Sequence, residues 1–261
     1  MSGIVYQVQV LKVGEADVRG PEVYWMSAWD DWETLYFYML VLHGNGKTIV
    51  VNTGPPRELA DMNKLWVEGV GHQRGAMRVT DQERPWNALP NVGVDPAQVD
   101  YVLVTPFQAY TTANLDLFPN ATFCLSRKGW VDFHAPKHPV TQVTRRQSFT
   151  DRILTYLSTK AWDRMRLLND EEEITPGIRT FWVGAHHRSS IAISIDTAKG
   201  SVVYSDCCFK YANIEEDRLL GITESLEETR EAYSRMRKEA DIFIPGYDPE
   251  VLQRYPGGLI A

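Results

Sequence analysis

Apolar and polar positions alternate in short runs along most of this chain. "IVYQVQVLKV", "YFYMLVLHG", "KTIVVNTG", "VDYVLVTP", "ATFCLS", "IRTFWVGA", "IAISIDT" and "SVVYSD" are rich in β-branched and aromatic residues and read as strands. Asn45-Gly46 and Lys199-Gly200 separate neighbouring runs, which is the chemistry of tight hairpins. A helical period replaces the alternation at roughly 57–69, 112–117, 147–168 and 224–239. The last of these, "ESLEETREAYSRMRKEA", sets Leu226, Thr229, Tyr233 and Met236 on one face and charge on the other. Strands come in two batches, each followed by helices. That order predicts an α/β protein with two sheets packed face to face and helices outside, a four-layer αββα sandwich. No linker interrupts the pattern, so residues 1–261 are expected to form one domain.

Composition narrows the class. With 44% hydrophobic and 23% charged residues, the 261-residue chain is ordinary for a globular protein and long enough for a sizeable core. A formal net charge of -7 argues against nucleic acid or a membrane surface as partner. No run approaches the ~18 apolar residues of a spanning helix. The opening "MSGIVYQVQVLKVGEADV" alternates like a strand and lacks a signal peptide's apolar region. Cys124, Cys207 and Cys208 are odd in number and two are adjacent, which is no disulfide framework. A reduced, cytoplasmic setting is the expectation.

The stretches "IVVNTG", "VDYVLVTPFQAYTTANLDLFPNATFCLSR", "ITPGIRTFWVGAHHRSSIAISIDTAKGSVVYSD", "KYANIEE" and "IPGYDPEVLQRYPGG" span nearly the whole chain. In their order and character they resemble the metallo-β-lactamase fold, and within it the N-acyl homoserine lactonase-like branch. The resemblance implies the αββα sandwich and a dinuclear metal site. The ligand pattern is broken. Where the family has T-H-x-H-x-D-H, this chain reads Thr105-Pro106-Phe107-Gln108-Ala109-Tyr110-Thr111. The family's G-G-H is Gly184-Ala185-His186, and its bridging aspartate is Asp206. Its final P-G-H-D is Pro245-Gly246-Tyr247-Asp248, its D-T-G aspartate is Asn52, and the tyrosine beyond the bridging aspartate is Phe209. Only His186 and Asp206 keep metal donors, whereas a zinc site needs at least about three protein ligands. His187, Cys207 and Cys208 adjoin the survivors, but strand neighbours point to opposite faces. The expectation is therefore a protein with no metal and no other cofactor.

The replacements suggest what such a pocket could do. Gln108, Tyr110, Thr111 and Tyr247 all form hydrogen bonds, so they either hold a polar ligand or fill the vacated volume by satisfying one another. Two ligands of one metal would sit roughly 3–3.5 Å apart once it is gone. His186 and Asp206 are thus expected to pair, as a general base with its orienting carboxylate or as a self-satisfied relic. Tyr110 and Tyr247, with Gln108 assisting, could donate a proton or stabilise an oxyanion.

Other residues are candidates for binding. His187 and Arg188 replace small residues of the family's loop, and Arg188 could hold a substrate carboxylate or lie solvated at the surface. Thr111 and Phe209 flank the same point. Trp25 and Trp29 belong to the aromatic segment "EVYWMSAWDDWETLYFYML", which reads as a lid or as a dimer interface. Cys207 or Cys208 is a nucleophile or, more commonly, buried structure. Ser189 and Ser190 lack a nucleophile elbow. His43, His72, His134 and His138 read as surface residues, as do Arg145-Arg146 and the turn Asp170–Glu173. The leading reading is a metal-independent hydrolase or lyase. It would act by acid–base chemistry on an activated ester or lactone, or by elimination or decarboxylation beside a carbonyl. Its partner would be a small organic molecule, a carboxylate or phenol among the candidates, and a homodimer stays open. The rivals are a non-catalytic ligand- or partner-binding protein and an atypical mononuclear metallohydrolase.

Overall fold

The computed structural model describes residues 3, 5–136 and 147–261. One sheet has six strands in sequential order: β1 (Tyr6–Arg19), β2 (Trp32–Gly44), β3 (Lys47–Val51), β4 (Tyr101–Leu103), β5 (Thr122–Ser126) and β6 (Met165–Leu168). Its first three strands pair antiparallel and the rest parallel. The second sheet has five strands, ordered β11-β10-β9-β8-β7, from β7 (Glu171–Thr175), β8 (Ile178–Trp182), β9 (Ile191–Thr197), β10 (Gly200–Ser205) and β11 (Ile242–Pro245). β10 and β11 run parallel and the other pairs antiparallel.

The alternation in β2 explains the layers. Tyr38, Leu40 and Leu42 point into the core between the sheets, with Ile49, Leu103, Ile191, Ile193, Ile195 and Tyr204. Phe37, Met39 and Val41 point the other way, towards helices. Each fully buried Leu, Ile or Val there contributes about 1.5–3 kcal/mol relative to exposure. The helices on that outer face include α2 (Ala60–Val70), α3 (Pro85–Asn91) and α6 (Asp151–Thr159), through Met62, Leu89, Ile153 and Leu157. Preceding or between them lie α1 (Gly20–Val23), α4 (Ala109–Thr112) and α5 (Arg127–His134). α7 (Tyr211–Glu215), α8 (Leu226–Glu239) and α9 (Glu250–Arg254) follow. α8 covers the second sheet through Ala232, Tyr233 and Met236. Ser225 caps it by accepting from Glu228 N at 3.2 Å, and Glu227, Glu228, Arg237 and Lys238 complement its dipole. The expected four layers are present. No helix among the described residues is long and apolar enough to cross a membrane.

Three elements differ from expectation. The helix read at 147–168 spans only Asp151–Thr159; Met165–Leu168 instead pairs with β5 as an edge strand and buries Leu168. Tertiary pairing there overrides local helical preference. Glu171–Glu173 is not a turn but part of β7. An edge strand lets acids reach solvent and partners, and Glu172 and Glu171 bond Arg166 and Arg235, 2.8 and 2.7 Å away. The segment read as a helix at 112–117 is α4 followed by a single turn at Leu115–Leu117. Asn45-Gly46 does form a hairpin turn, both residues at positive φ (50° and 65°), whereas the turn between β9 and β10 is Ala198-Lys199, with Gly200 opening β10 opposite Thr197. His138 and Arg145-Arg146 lie outside the described residues.

Candidate functional site

The loops after β3, β4, β8, β10 and β11 converge on one edge of the sandwich. Asn52 ends β3 in the left-handed region, φ 64°, a conformation asparagine tolerates. Its Oδ1 accepts from Thr105 N at 2.9 Å, and its Nδ2 donates to the Tyr204 hydroxyl at 3.3 Å. Asn114 Nδ2 donates to the carbonyls of Thr53, Gly54 and Pro55. The loop that begins at Thr105 is thus pinned by neutral hydrogen bonds. Thr111 belongs to this scaffold. Its hydroxyl bonds the carbonyls of Pro106 and Gln108 at 2.5 and 2.7 Å and accepts from Gln108 N, closing the first turn of α4. It does not line the cavity described below, contrary to its expected binding role.

Asp206 is fully buried at the end of β10. One carboxylate oxygen accepts from Thr105 Oγ1 and the other from Ser190 Oγ at 2.5 Å. Burial pushes its carboxyl up to about 6, against the pull of those two hydroxyls. The expected His186–Asp206 hydrogen bond is not formed. His186 Nδ1 instead bonds the Ile222 carbonyl at 2.8 Å, and its ring lies 4.0 Å from His187 and 4.9 Å, edge-on, from Phe209. The physical reason is local: β4 and the start of β9 bring two hydroxyls to Asp206. Two neutral donors satisfy a buried carboxylate without burying an imidazolium beside it. Burial also lowers the His186 pKa to about 4, opposed by the Ile222 bond. The imidazole is neutral, its Nδ1 carries the proton given to Ile222, and its Nε2 has no hydrogen-bond partner among the described residues.

His186 forms part of the wall of a cavity of about 300 Å³. Phe37, Trp66, Tyr110, Phe209 and Tyr247 line it beside aliphatic residues such as Leu35 and Leu65, and Gln108, Gln147, His187 and Glu22 bring polar groups to it. The Tyr110 and Tyr247 hydroxyls are 2.9 Å apart and share a hydrogen bond. Burial pushes both phenols up, so both stay protonated. Gln108 Nε2 donates to His187 Nε2 at 3.1 Å, and burial drives the His187 pKa down. Gln108, Tyr110, His186, His187, Phe209 and Tyr247 therefore all line one cavity.

Other expected residues are elsewhere. Arg188 does not face this cavity. Its guanidinium bonds both oxygens of Glu228 and, at 2.5 Å, Glu224, and stacks 5.0 Å from the Trp182 ring. A fork so occupied is not free for a substrate carboxylate. Trp25 and Trp29 are exposed, 46% and 62%, and line no part of the cavity. They form no lid over it; Phe37 and Trp66 supply its aromatic surface. Cys207 and Cys208 are fully buried among Tyr233 and Met236, away from the cavity lining. Ser189 Oγ accepts from Phe107 N at 2.8 Å. Glu22, Phe37, Trp66 and Ile222 do not stand out as site residues in the sequence. Phe37 carries a signal, lying in the aromatic segment; Glu22, Trp66 and Ile222 reach the cavity only through the fold.

The metal that the resemblance implies does not fit these residues. Asp206 has both oxygens occupied by hydroxyls, Gln108 is a neutral amide, and Tyr110 and Tyr247 are protonated phenols bonded to each other. Among the described residues, no group of three or more His, Cys, Asp or Glu side chains is placed to hold an ion.

No family model matches the sequence, and no curated protein matches it. Solved structures do share its fold. An N-acyl homoserine lactone hydrolase with the product N-hexanoyl-L-homoserine at its catalytic metal centre aligns with a TM-score of 0.75 at 17% identity, over 98% of this chain and 99% of its own. A quorum-quenching N-acyl homoserine lactone lactonase aligns at 0.74 and 16% identity over 100% of both chains. A hydrolase of the beta lactamase superfamily aligns at 0.68 and 15% identity, over 99% of this chain and 92% of its own. The fold of this chain is the metallo-β-lactamase fold of these hydrolases.

Proposed function

We propose that this chain, built on the metallo-β-lactamase fold, is a metal-independent hydrolase for small activated esters or lactones, with His186 as general base. The observation that carries the reading is the His186–Ile222 bond. It fixes the proton on Nδ1 and leaves the Nε2 lone pair available on a cavity wall. A water in the cavity would give its proton to Nε2 as its oxygen bonds to the acyl carbon. The oxyanion would accept a hydrogen bond from the hydroxyl of the Tyr110–Tyr247 pair that is not donated within it, with that proton staying on the phenol. Collapse expels the alkoxide, which takes the proton back from Nε2 and leaves a carboxylic acid and an alcohol. Gln108 and His187 would orient the acyl group.

Magnitudes restrict the substrate. An imidazole whose pKa is lowered to about 4 is a weak base, so the leaving group must be good. Amides and phosphate esters, which call for a stronger nucleophile, are poor candidates. The same base would serve proton abstraction beside a carbonyl, the elimination or decarboxylation variant. Arg188 is committed elsewhere, so a carboxylate substrate is disfavoured and a neutral carbonyl with an apolar body is favoured. A second reading, binding without turnover, draws on the Tyr110–Tyr247 bond, because two phenols that satisfy each other need no substrate. Aryl acetates and γ-lactones offered to purified protein separate the two. Hydrolysis that His186→Ala abolishes supports the enzyme, and saturable binding with no product supports the binder.

A further inference from the structure

Glu22 lies on the rim of the cavity at the end of α1. One carboxylate oxygen accepts from Arg19 N at 3.2 Å, and no ion pair among the described residues involves it. Burial pushes its pKa up, against that backbone bond and the more distant Arg19 charge. Its carbonyl accepts from Ile222 N at 2.8 Å, so the loop that holds His186 also holds the Glu22 backbone.

Aromatic rings line the same cavity. Phe37 packs edge-on against Tyr110 and Tyr247, 4.7 and 5.4 Å between centroids, and lies 5.5 Å from Trp66. In an edge-to-face pair the edge of one ring covers one face of the other and leaves that ring its second face. No lysine or arginine is among the described lining residues, and burial keeps both histidines neutral. Glu22 is the one carboxylate among the described lining residues, and its second oxygen has no hydrogen-bond partner among them. A cavity lined by aromatic rings, with one carboxylate and no lysine or arginine, complements an organic cation that donates N–H bonds.

We propose that this cavity takes an organic ammonium group, its charge met by Glu22 and the π faces of Phe37, Trp66 and Tyr247, so that the substrate carries an amine on an apolar body. The proposal rests on the reading of this cavity as the ligand site, not on the chemistry assigned to His186. Titration calorimetry of the full chain with benzylammonium, benzyl alcohol and benzoate tests it. Benzylammonium is expected to bind at least about tenfold more tightly than benzyl alcohol, with benzoate weakest. Glu22→Gln, which keeps the acceptor to Arg19 N, should cut that preference to about twofold while benzyl alcohol affinity stays unchanged. Trp66→Leu should weaken benzylammonium about threefold or more. Equal or tighter binding of benzyl alcohol or benzoate by the wild type overturns the proposal. So does no binding of any probe, or a preference that survives Glu22→Gln. Benzylammonium binding in a protein that hydrolyses no ester would leave this proposal standing and sink only the hydrolytic reading. Hydrolysis without ammonium preference would do the reverse.

Discussion

The Nδ1 of His186 bonds the Ile222 carbonyl at 2.8 Å, and the Ile222 amide in turn donates to the Glu22 carbonyl at 2.8 Å. One surface loop thereby sets the tautomer of the buried imidazole and ties it to the rim of the cavity. Under the proposed mechanism, that contact makes His186 a base without help from Asp206.

Replacement of the imidazole should therefore remove turnover and little else. His186→Ala is expected to lower kcat/KM for an activated aryl ester by about 10²–10⁴-fold, the usual weight of a general base. The urea midpoint should move only slightly, because His186 makes one hydrogen bond. Steady-state kinetics beside an unfolding curve checks both. Residual activity within a few fold of wild type would place the base elsewhere.

Gly221 offers a test from outside the cavity. A Cβ added there would lie 1.7 Å from the Pro21 carbonyl oxygen. Gly221→Ala must displace the loop or α1, and with it the Ile222 carbonyl. Overpacking of this kind costs about 1–3 kcal/mol. Loss of kcat should accompany the drop in urea midpoint. A variant as active as wild type would show that His186 does not depend on this loop.

Arg188 reads in the sequence as a substrate clamp or a solvated surface group, and the structure makes it a brace for the start of α8. Arg188→Gln should leave KM for a neutral ester within about twofold. The partly exposed pairs with Glu224 and Glu228 should cost about 1 kcal/mol or less in stability. A KM that rises tenfold or more for an anionic ester alone would restore the clamp.

Asp17 carries a pH-dependent share of stability. Burial pushes its carboxyl up, but hydrogen bonds from Thr34 and Arg74 and the charge of Arg78 outweigh that and hold it below the ordinary range. A depressed folded pKa contributes stability that is present above the unfolded value, about 3.9, and is lost as pH falls through the folded one. Asp17→Asn should accordingly be less stable than wild type at pH 7, with the gap narrowing as pH falls below the unfolded value of about 3.9. Urea unfolding at pH 7 and below that value measures it, and a gap that persists in acid would contradict the assignment.

The αββα layers are legible in the sequence because alternation in β2, β9 and β10 assigns alternate residues to opposite faces of a sheet. β6 and β7 are not, since Met165–Leu168 and Glu171–Thr175 become strands only by pairing at sheet edges. Gln108, Tyr110, His186, His187, Phe209 and Tyr247 are readable through their positions in the loop pattern. Glu22 and Trp66 are not, because α1 and α2 reach the cavity from distant parts of the chain and neither residue sits in a motif. The partners of Asp206 escape the sequence for a simple reason. Ser190 and Thr105 look ordinary there, yet they are the donors that take both of its oxygens.

That the pocket works through proton transfer rather than through a metal meets its most direct test in elemental analysis. Protein produced with zinc, iron and manganese supplied, then desalted, should retain less than about 0.1 ion per chain, because the described residues offer no group of three His, Cys, Asp or Glu donors. Retention of about one or two ions per chain, lost in His186→Ala, would contradict a metal-free mechanism.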